Sequence, residues 1–370
     1  MKVRVLVHCI YFPPEVGGLE SHVYYLCRAL VNRGHTVRVV TSRSLPGVPA
    51  REEMDGIQVW RTWFPSRRPL GWVAHALGSL PLTRRLARAS DLIHAQTFAS
   101  VVPAELARRG LGLPLVATFH TSHFLMRARK PLWKPLLGRL VRTADHALAA
   151  SEEIAQVARG LAPGSRVEAL TNGVETSFFR RVQPTLAGAG VPRVVVPRRL
   201  FPKNGVEYFV RALPLILEET EVEAVVIGDG PECRRLKDLS RDLGVADHMR
   251  FLGKRAHDEM PGLLSSGDVA VVPSLMEATS VAALEAMACQ LPVAASRVGG
   301  LPQIVDDEVG GLFEAGNPEA LAATVVHLLR NRDLTAMGVR ARDRVVERWS
   351  NDRLAERHLE IYRELLEARS

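Results

Sequence analysis

Short β-branched apolar runs alternate with amphipathic helical runs along the whole chain, and this alternation most constrains the fold. In the first half, VRVLVHCIYF predicts a strand, GLESHVYYLCRALVNRG a helix that ends at its last glycine, and TVRVVTS the next strand. The second half repeats the order from PRVVVPRRL onward. Strands made almost entirely of Val, Ile and Leu occur in parallel sheets that helices cover on both faces. We therefore predict an α/β protein with two Rossmann-like parallel-sheet domains facing a cleft.

The domain boundaries follow from chain length and from breaks in the periodicity. A chain of 370 residues is too long for a single hydrophobic core, and the stretch RVQPTLAGAGVPR has no helical or strand periodicity. We predict an N-terminal domain over residues 1–183, a linker over 184–192 and a second domain over 193–350. The periodic segment 351–370 predicts a C-terminal helix, which we expect to pack back on the N-terminal domain.

The distribution of charge argues against nucleic-acid binding. The net charge is +8, but residues 1–185 hold 25 Lys and Arg against 12 Asp and Glu, whereas the remainder holds 23 against 28. A basic half and a mildly acidic half indicate two domains with different partners. No apolar run reaches the roughly 18 residues that a membrane span needs, and the N-terminus has no signal-peptide layout. We therefore expect a cytoplasmic protein.

Two basic segments in the first half also contain tryptophan. They are RTWFPSRRPLGWV over residues 61–73 and RARKPLWKPLLGRLVR over residues 127–142. Basic side chains beside Trp and Leu in an amphipathic segment suit an anionic membrane surface. We expect peripheral binding at the inner face of the membrane through these segments. The alternative is that they are the solvated faces of ordinary helices.

Glycines and a histidine stand at predicted strand ends in the first half. Gly17 and Gly18 directly precede a helix, where the backbone can approach a ligand closely and the helix N-terminus favours an anion such as phosphate. The alternative is a tight turn without a ligand. In VATFHTSH, His120 lies at the mouth of a predicted strand, where it is either a functional group or a structural hydrogen-bond partner.

Basic residues and a second glycine turn stand at strand ends in the second half. Arg198, Arg199 and Lys203 follow the first strand of that half, where a diphosphate would need cations. The alternative there is a surface loop. The sequence GDGP, residues 228–231, forms a glycine turn at the end of another strand.

Two glutamates complete the pattern. Glu277 and Glu285 are eight residues apart in PSLMEATSVAALEAMA, a run of small apolar residues in which buried carboxylates would be costly unless compensated. Together with RRLFPKNG, VIGDGP, FLG, PVAASRVGG, PPEVGGLESHV, TFHT and TNGVETSFF, this segment resembles the retaining GT-B glycosyltransferases of family 4. The resemblance covers essentially the whole chain.

The resemblance implies that the C-terminal domain binds a nucleotide-diphosphate sugar and the N-terminal domain a hydroxyl acceptor. Glu285 would accept hydrogen bonds from ribose hydroxyls, and Glu277 would contact hydroxyls of the transferred sugar. The implied catalytic set is His120, Arg199, Lys203 and Glu277. The implied donor-binding set is Gly17, Gly18, Arg198, Asn204, Gly228, Gly230, Gly253, Ala278, Thr279, Ser280, Val281 and Glu285.

The chain departs from the family pattern at two places. The family has an Arg-Leu pair with a Lys five residues after the Arg, whereas here Arg198, not Arg199 of the Arg-Leu pair, has that spacing to Lys203. We favour Arg199 and Lys203 as the catalytic pair. The first glutamate is usually followed by Gly, and here Ala278 follows it, which leaves the identity of the sugar open.

The resemblance implies a metal-independent retaining glycosyltransferase that moves a hexosyl group to a lipid-linked or small-molecule acceptor and needs no cofactor. No Asp-x-Asp pair stands at a strand end. The alternatives are a nucleotide-sugar 2-epimerase of the same architecture and a non-catalytic sugar-nucleotide binding protein. An NAD-dependent dehydrogenase is disfavoured, because no G-x-G-x-x-G follows the first strand.

Overall fold

The structure is a computed structural model that describes residues 2–15, 17–120, 122–188, 190–277, 279–331 and 333–369. The chain divides into two compact units, Met1–Asn172 with Asn351–Ser370, and Gly173–Ser350. Each unit is built around one mostly parallel sheet with its own core. The predicted α/β class with two parallel-sheet domains is confirmed.

The first unit contains an eight-stranded sheet in the order β3-β4-β2-β1-β5-β6-β7-β8. All neighbours pair in parallel except β3, which runs antiparallel to β4 at one edge. The strand interiors are almost fully buried because helices cover both faces. The elements are β1 (Arg4–Cys9), α1 (Gly18–Asn32), β2 (Thr36–Ser42), β3 (Arg51–Met54), β4 (Ile57–Thr62), α2 (Pro69–Ala87), β5 (Leu92–Gln96), α3 (Phe98–Arg108), β6 (Leu115–Phe119), α4 (Ser122–Ala128), α5 (Lys134–Thr143), β7 (His146–Ala149), α6 (Glu152–Leu161) and β8 (Val167–Ala169).

The second unit contains a six-stranded parallel sheet in the order β11-β10-β9-β12-β13-β14. Its first strand, β9, lies in the middle, so the chain builds outward in one direction and then in the other. The elements are β9 (Arg193–Val196), α7 (Val206–Glu219), β10 (Glu223–Val226), α8 (Cys233–Asp242), β11 (Met249–Phe251), α9 (Met260–Leu264), β12 (Val269–Val272), α10 (Val281–Ala288), β13 (Val293–Ser296), α11 (Leu301–Ile304), β14 (Gly310–Phe313), α12 (Pro318–Asn331) and α13 (Leu334–Trp349). Short 3-10 turns lie at Pro131–Trp133, Pro202–Asn204, Ala246–His248 and His257–Glu259.

The last helix, α14 (Asn351–Glu367), belongs to the first unit. Leu354, Leu359 and Tyr362 are buried in the core that contains β1 and α1. Their spacing places them on one face of the helix, so burial of that face holds α14 against the sheet.

The boundary between the units differs from the prediction. Residues 173–183, which we predict to end the N-terminal domain, pack with the second unit instead. Phe179 is buried in the second core, and the Val174 amide donates to the Trp349 carbonyl at 2.8 Å. Sequence periodicity could not place this boundary, because isolated apolar side chains outside any strand or helix make the contacts with the second unit.

Candidate active site

The candidate donor site lies at the carboxyl ends of β9 and β12. These two strands are neighbours in the sheet, and the strand order reverses between them. In open parallel sheets ligands bind at such a switch point, where the loops after the two strands diverge. Those loops carry residues 197–205 after β9 and 273–280 after β12.

Arg198 is the centre of the polar network at this point. Its Nη2 atom donates to Glu277 Oε2 and to Ser274 Oγ, both at 2.6 Å, and Nη1 is 3.4 Å from Ser280 Oγ. The ion pair is largely removed from solvent, since the two side chains are only 10% and 16% exposed. Among the described residues of the second unit, Arg198 Nε is the only fully buried side-chain nitrogen or oxygen without a hydrogen-bond partner. The network therefore has one buried donor left to offer a ligand.

Asn204 makes hydrogen bonds within the loop after β9, and Lys203 joins that loop to the one after β12. The buried Asn204 side chain donates from Nδ2 to the Arg199 carbonyl at 2.6 Å and accepts from Arg198 Nη2 at 3.1 Å. The Lys203 carbonyl accepts from the Leu275 amide at 2.9 Å. Desolvation lowers the pKa of the Lys203 ammonium group; the carboxylate in the network opposes this, and the two arginines add to it. Both residues thus lie where the spacing predicts them.

The two arginines after β9 have different contacts. Arg199 is exposed, with its guanidinium 5.7 Å from the centre of the Phe201 ring. Arg198, which keeps the five-residue spacing to Lys203, is the one that contacts Glu277. The two consecutive side chains lie in different surroundings, since Arg198 is largely buried against Glu277 and Arg199 is exposed. We therefore place Arg198 in the candidate catalytic set instead of Arg199.

The N-terminus of α10 faces the same network. Ser280 is the N-cap, and its Oγ accepts from the Ala283 amide at 3.3 Å. Thr279 is buried beside it, and Val281 is the first residue of the helix. The positive end of the helix dipole suits an anion at this place. Ala278, which we include in the donor-binding set, lies outside the described residues.

Glu285 is one turn into α10, on the face that the core covers least. Val281, Ala282 and Glu285 are half-buried, whereas the remaining positions of the helix are buried. Burial raises the pKa of the Glu285 carboxyl to about 8. No described side chain is recorded as donating to it, so its desolvation is uncompensated. The prediction that this carboxyl is costly in the absence of a ligand agrees with this geometry.

The predicted glycines of the second unit pack against the same loops. The Gly228 amide donates to the Gly253 carbonyl at 3.0 Å, which joins the ends of β10 and β11. Gly228 has φ +148°, and a Cβ there would lie 2.2 Å from the Arg198 carbonyl oxygen. At Gly230 a Cβ would lie 2.4 Å from the Leu200 carbonyl oxygen. Both positions therefore allow the loop after β10 to approach the backbone that carries Arg198.

Two contributors escape sequence reasoning. Ser274 is fully buried, and its Oγ contacts the side chains of both Arg198 and Glu277. Gly299 has φ +54°, and a Cβ there would lie 1.7 Å from the Glu277 carbonyl oxygen. Ser274 stands in PSLMEA and Gly299 in RVGG, but in sequence alone neither a single serine nor a glycine pair indicates a binding site.

In the first unit, His120 lies at the end of β6 and is buried. Its Nε2 is 2.5 Å from Gln96 Oε1, and its Nδ1 is 3.0 Å from Asn172 Oδ1. The His22 ring is 4.9 Å away. Burial lowers the pKa of His120 to about 4, and hydrogen bonding to Asn172 opposes this only in part. A neutral ring is therefore present at physiological pH.

Gly17 and Gly18 form the start of α1, as predicted. Gly17 is the N-cap and Gly18 the first helical residue. Because Gly17 has no side chain, it offers no hydrogen-bond acceptor to the first-turn amides. The carboxylate of Glu20, in the first turn, lies against Gly17, with Oε2 2.3 Å from the position that a Cβ would take there.

Two properties of the described ranges concern metals and membranes. Within them, no group of three or more His, Cys, Asp and Glu side chains has an arrangement that could hold a metal ion. None of the helices described by the structure combines the length and apolarity of a membrane-crossing segment.

Comparison with known proteins finds family matches in both parts of the chain. A family model described as Glycosyltransferase Family 4 matches residues 16–178, and one described as Glycosyl transferases group 1 matches residues 191–331. A component of the phosphatidylinositol N-acetylglucosaminyltransferase of Arabidopsis thaliana is 29% identical, and the match covers 85% of this chain and 71% of that protein. The N-acetyl-alpha-D-glucosaminyl L-malate synthase of Bacillus anthracis is 25% identical over 99% of this chain and 98% of that protein.

Among solved structures, sucrose-phosphate synthase from Thermosynechococcus elongatus superimposes with a TM-score of 0.86 at 22% identity, covering 99% of this chain and 100% of that one. This likeness shows the GT-B fold. Nothing in the comparisons supports the 2-epimerase alternative. The two family matches lie on the two structural units in the order that the motifs predict, and the chain therefore belongs to glycosyltransferase family 4, the group 1 glycosyltransferases.

Proposed function

We propose that this protein transfers a hexosyl group from a nucleotide-diphosphate sugar to a hydroxyl acceptor, with retention of the anomeric configuration and without a metal ion. The observation that carries the proposal is the buried Arg198–Glu277 network at the switch point of the second sheet, with Arg198 Nε unpaired among the described residues. In this proposal the second unit binds the donor and the first unit binds the acceptor.

The cations would stabilise the leaving group. Transfer breaks the bond between C1 of the sugar and the β-phosphate oxygen, and the acceptor oxygen forms its bond to C1 on the same face. The proton of the acceptor hydroxyl passes to the departing diphosphate. Arg198, Lys203 and the N-terminus of α10 would balance the charge that develops on that diphosphate, which is electrostatic stabilisation of the transition state.

The two glutamates would have separate roles. Glu277, held in place by Arg198 and by its 3.4 Å approach to Ser274 Oγ, would contact hydroxyls of the transferred sugar. Glu285, unpaired among the described residues, would hydrogen-bond the ribose hydroxyls. Ligand hydroxyls would replace the solvation that burial removes from Glu285.

A thermal-shift panel of UDP-, GDP- and ADP-sugars tests donor binding, because a ligand that binds only the folded protein raises its melting temperature. With the donor so identified, transfer should continue in a chelator, and NMR of the product should show a retained anomeric configuration. An inverted product would refute the retaining mechanism, and complete loss of activity in the chelator would refute metal independence. Binding without transfer or hydrolysis would favour the non-catalytic alternative.

We also propose that the first unit binds an anionic membrane surface. Arg127 joins the two tryptophan segments, since its guanidinium lies 5.5 Å from the Trp72 ring centre and 5.1 Å from that of Trp133. Around it, Leu70 is 82% and Leu132 93% exposed. Neither residues 61–88 nor residues 122–144 contain an acidic residue. We call residues 63–77 and 126–139 the basic aromatic surface.

Exposed apolar side chains beside basic ones are the combination that binds anionic headgroups and their acyl boundary. A lipid-linked acceptor would then be presented at the first unit, and the relative from Arabidopsis thaliana is named for phosphatidylinositol. The relative from Bacillus anthracis is named for L-malate, so a soluble acceptor is the competing proposal.

Co-sedimentation with phosphatidylglycerol vesicles, compared with phosphatidylcholine vesicles, tests the surface. The wild-type protein should bind only the anionic vesicles at low salt, and Leu70→Ser with Leu132→Ser should weaken binding several-fold. Val339→Ser, which changes an exposed apolar residue of the second unit, is the matched control and should bind like the wild type. Absence of wild-type binding at low salt would refute the membrane proposal and leave the soluble acceptor.

A further inference from the structure

Gln96 is a fully buried carboxamide at the end of β5 that contacts two histidines. Its Oε1 atom lies 2.5 Å from His120 Nε2, and its Nε2 atom lies 3.3–3.4 Å from the two ring nitrogens of His94. β5 and β6 are neighbouring parallel strands, so the residues at their carboxyl ends lie side by side. The carboxamide therefore connects His120 to the interior of the first unit.

The His120 ring is held at both nitrogens. The Gln96 amide nitrogen faces His94, so its carbonyl oxygen faces His120, and the short contact with this acceptor assigns the proton to Nε2. The ring is neutral, so Nδ1 accepts from the Asn172 amide, whose nitrogen and oxygen positions are interchangeable in such an assignment. Two carboxamides thus fix both the plane and the tautomer of one imidazole.

His94 is itself held by groups from two directions. Its Nε2 is 2.7 Å from Thr118 Oγ1, and its Nδ1 is 2.7 Å from the hydroxyl of Tyr362 on α14. Other described titratable groups close to this cluster include His22 on α1 and His358 on α14, both neutral because burial lowers their pKa. Cys27 on α1 adds to the burial that raises the pKa of Tyr362. The last helix of the chain is therefore part of the shell around His120.

We propose that Gln96 is a positioning residue for glycosyl transfer, which sets the orientation and tautomer of His120 and is supported in turn by His94 and Tyr362. The inference rests on the proposed function through the role of His120. Its physical basis is that a side chain that acts on a bound substrate must be held within a fraction of an ångström, and its neighbours provide that restraint.

The direct test is Gln96→Glu, which keeps the shape and places a carboxylate beside His120 Nε2. An adjacent negative charge stabilises the imidazolium, so the pKa of His120 should rise by about one to three units. NMR titration of ring-labelled histidine, with His120 assigned from His120→Gln, measures this shift. The pH profile of transfer should move with it. Gln58→Glu is the matched control, because Gln58 lies on β4 of the same sheet and pairs with Arg38, away from His120.

A second variant keeps the test valid if the carboxylate prevents folding. Gln96→Met is nearly isosteric and neutral, and it removes the acceptor of His120 Nε2. We expect kcat to fall about 10- to 100-fold with KM for the donor little changed, and the NMR signal of the Nε2 proton to be lost. Tyr362→Phe, which removes only a hydroxyl, should have the same effect to a smaller degree.

The outcomes separate the two proposals. Absence of transfer by the wild-type protein with every nucleotide sugar would refute the proposed function. A wild-type enzyme with normal turnover, together with an unshifted His120 in Gln96→Glu or an unchanged kcat in Gln96→Met, would overturn the role of Gln96 alone. A His120 shift without any change in the pH profile would show that the network is only structural, which also overturns the inference.

Discussion

Replacing Glu285 by glutamine should stabilise the protein and at the same time weaken donor binding. The carboxyl is half-buried on α10, no described residue is recorded as donating to it, and burial raises its pKa to about 8. Glutamine has nearly the same shape and no charge, so it removes the cost of desolvating a carboxylate. It also replaces one of the two carboxyl oxygens that ribose hydroxyls would need with an amide NH2 group, which only donates. A residue retained for folding alone would not show these opposite effects.

The size of the stabilisation follows from the pKa. In the unfolded chain the carboxyl has its ordinary pKa of 4.5, so between pH 4.5 and about pH 8 the unfolded state has lost a proton that the folded state keeps. Stability therefore falls as pH rises through this range. The full shift would correspond to about 5 kcal/mol, and partial exposure of the side chain reduces the expected gain to about 1–2 kcal/mol at pH 8. This gain is equivalent to an increase of about 2–8 °C in Tm for a domain of this size.

Thermal unfolding at pH 5 and pH 8 measures the effect. The Tm of Glu285→Gln should exceed that of the wild type at pH 8 and approach it at pH 5. The increase in Tm caused by the donor sugar should be largely lost. Glu221→Gln, an exposed position of the same unit, is the control and should change neither value. A variant that is no more stable at pH 8, or that keeps the full donor-induced shift, would contradict the reasoning.

Three other perturbations have expected outcomes. Arg198→Ala should lower kcat/KM by about 10²–10³-fold, and Arg199→Ala by less than about threefold, because only Arg198 contacts Glu277. Equal losses in steady-state kinetics would contradict the assignment of Arg198 to the catalytic set. The first unit should lose stability as pH falls from about 6.5 to 4, because the unfolded state binds protons at His120 and His358 in this range, whereas in the folded state their pKa values are about 4. Tryptophan fluorescence reports mainly this unit, and an unchanged signal down to pH 4 would contradict the prediction. Gly228→Ala should destabilise the second unit by about 1–3 kcal/mol, because the new methyl group would clash with the Arg198 carbonyl oxygen. An unchanged free energy of unfolding in chemical denaturation would contradict this steric explanation.

Much of the fold could be predicted because it follows from local sequence. Segments such as VRVLVHC and VEAVVIG are mostly apolar, and a strand covered on both faces buries such a run. The antiparallel strand β3, with the sequence REEM, has no such pattern, and only its pairing with β4 makes it a strand. Periodicity does not predict the boundary at residue 172 for a related reason: the segment after it joins the second unit through the buried side chain of Phe179.

The sequence predicts which segments form the candidate site, but not which of two adjacent side chains faces it. The spacing of Glu277 and Glu285 and the position of Lys203 point to one strand edge, and the structure brings their loops together. The choice between Arg198 and Arg199 depends on which way the chain turns after β9, and spacing alone was ambiguous. The contact between His94 and Tyr362, which are 268 residues apart, leaves no local signal.

The distribution of unmet hydrogen bonds in the second unit favours a ligand at the strand ends over a purely structural network. Buried polar groups are normally paired, and around Arg198 the side chains of Ser274, Asn204 and Ser280 are all paired. Among the described residues of the second unit, the fully buried exception is Arg198 Nε, a donor, and the half-buried carboxyl of Glu285 also has no donor among them. A network that served stability alone would gain by pairing or replacing these groups. An unmatched donor beside Lys203 suits a phosphate oxygen, and an unmatched carboxyl suits a hydroxyl. A nucleotide-diphosphate sugar carries both, so its binding would satisfy the two groups that folding leaves unsatisfied.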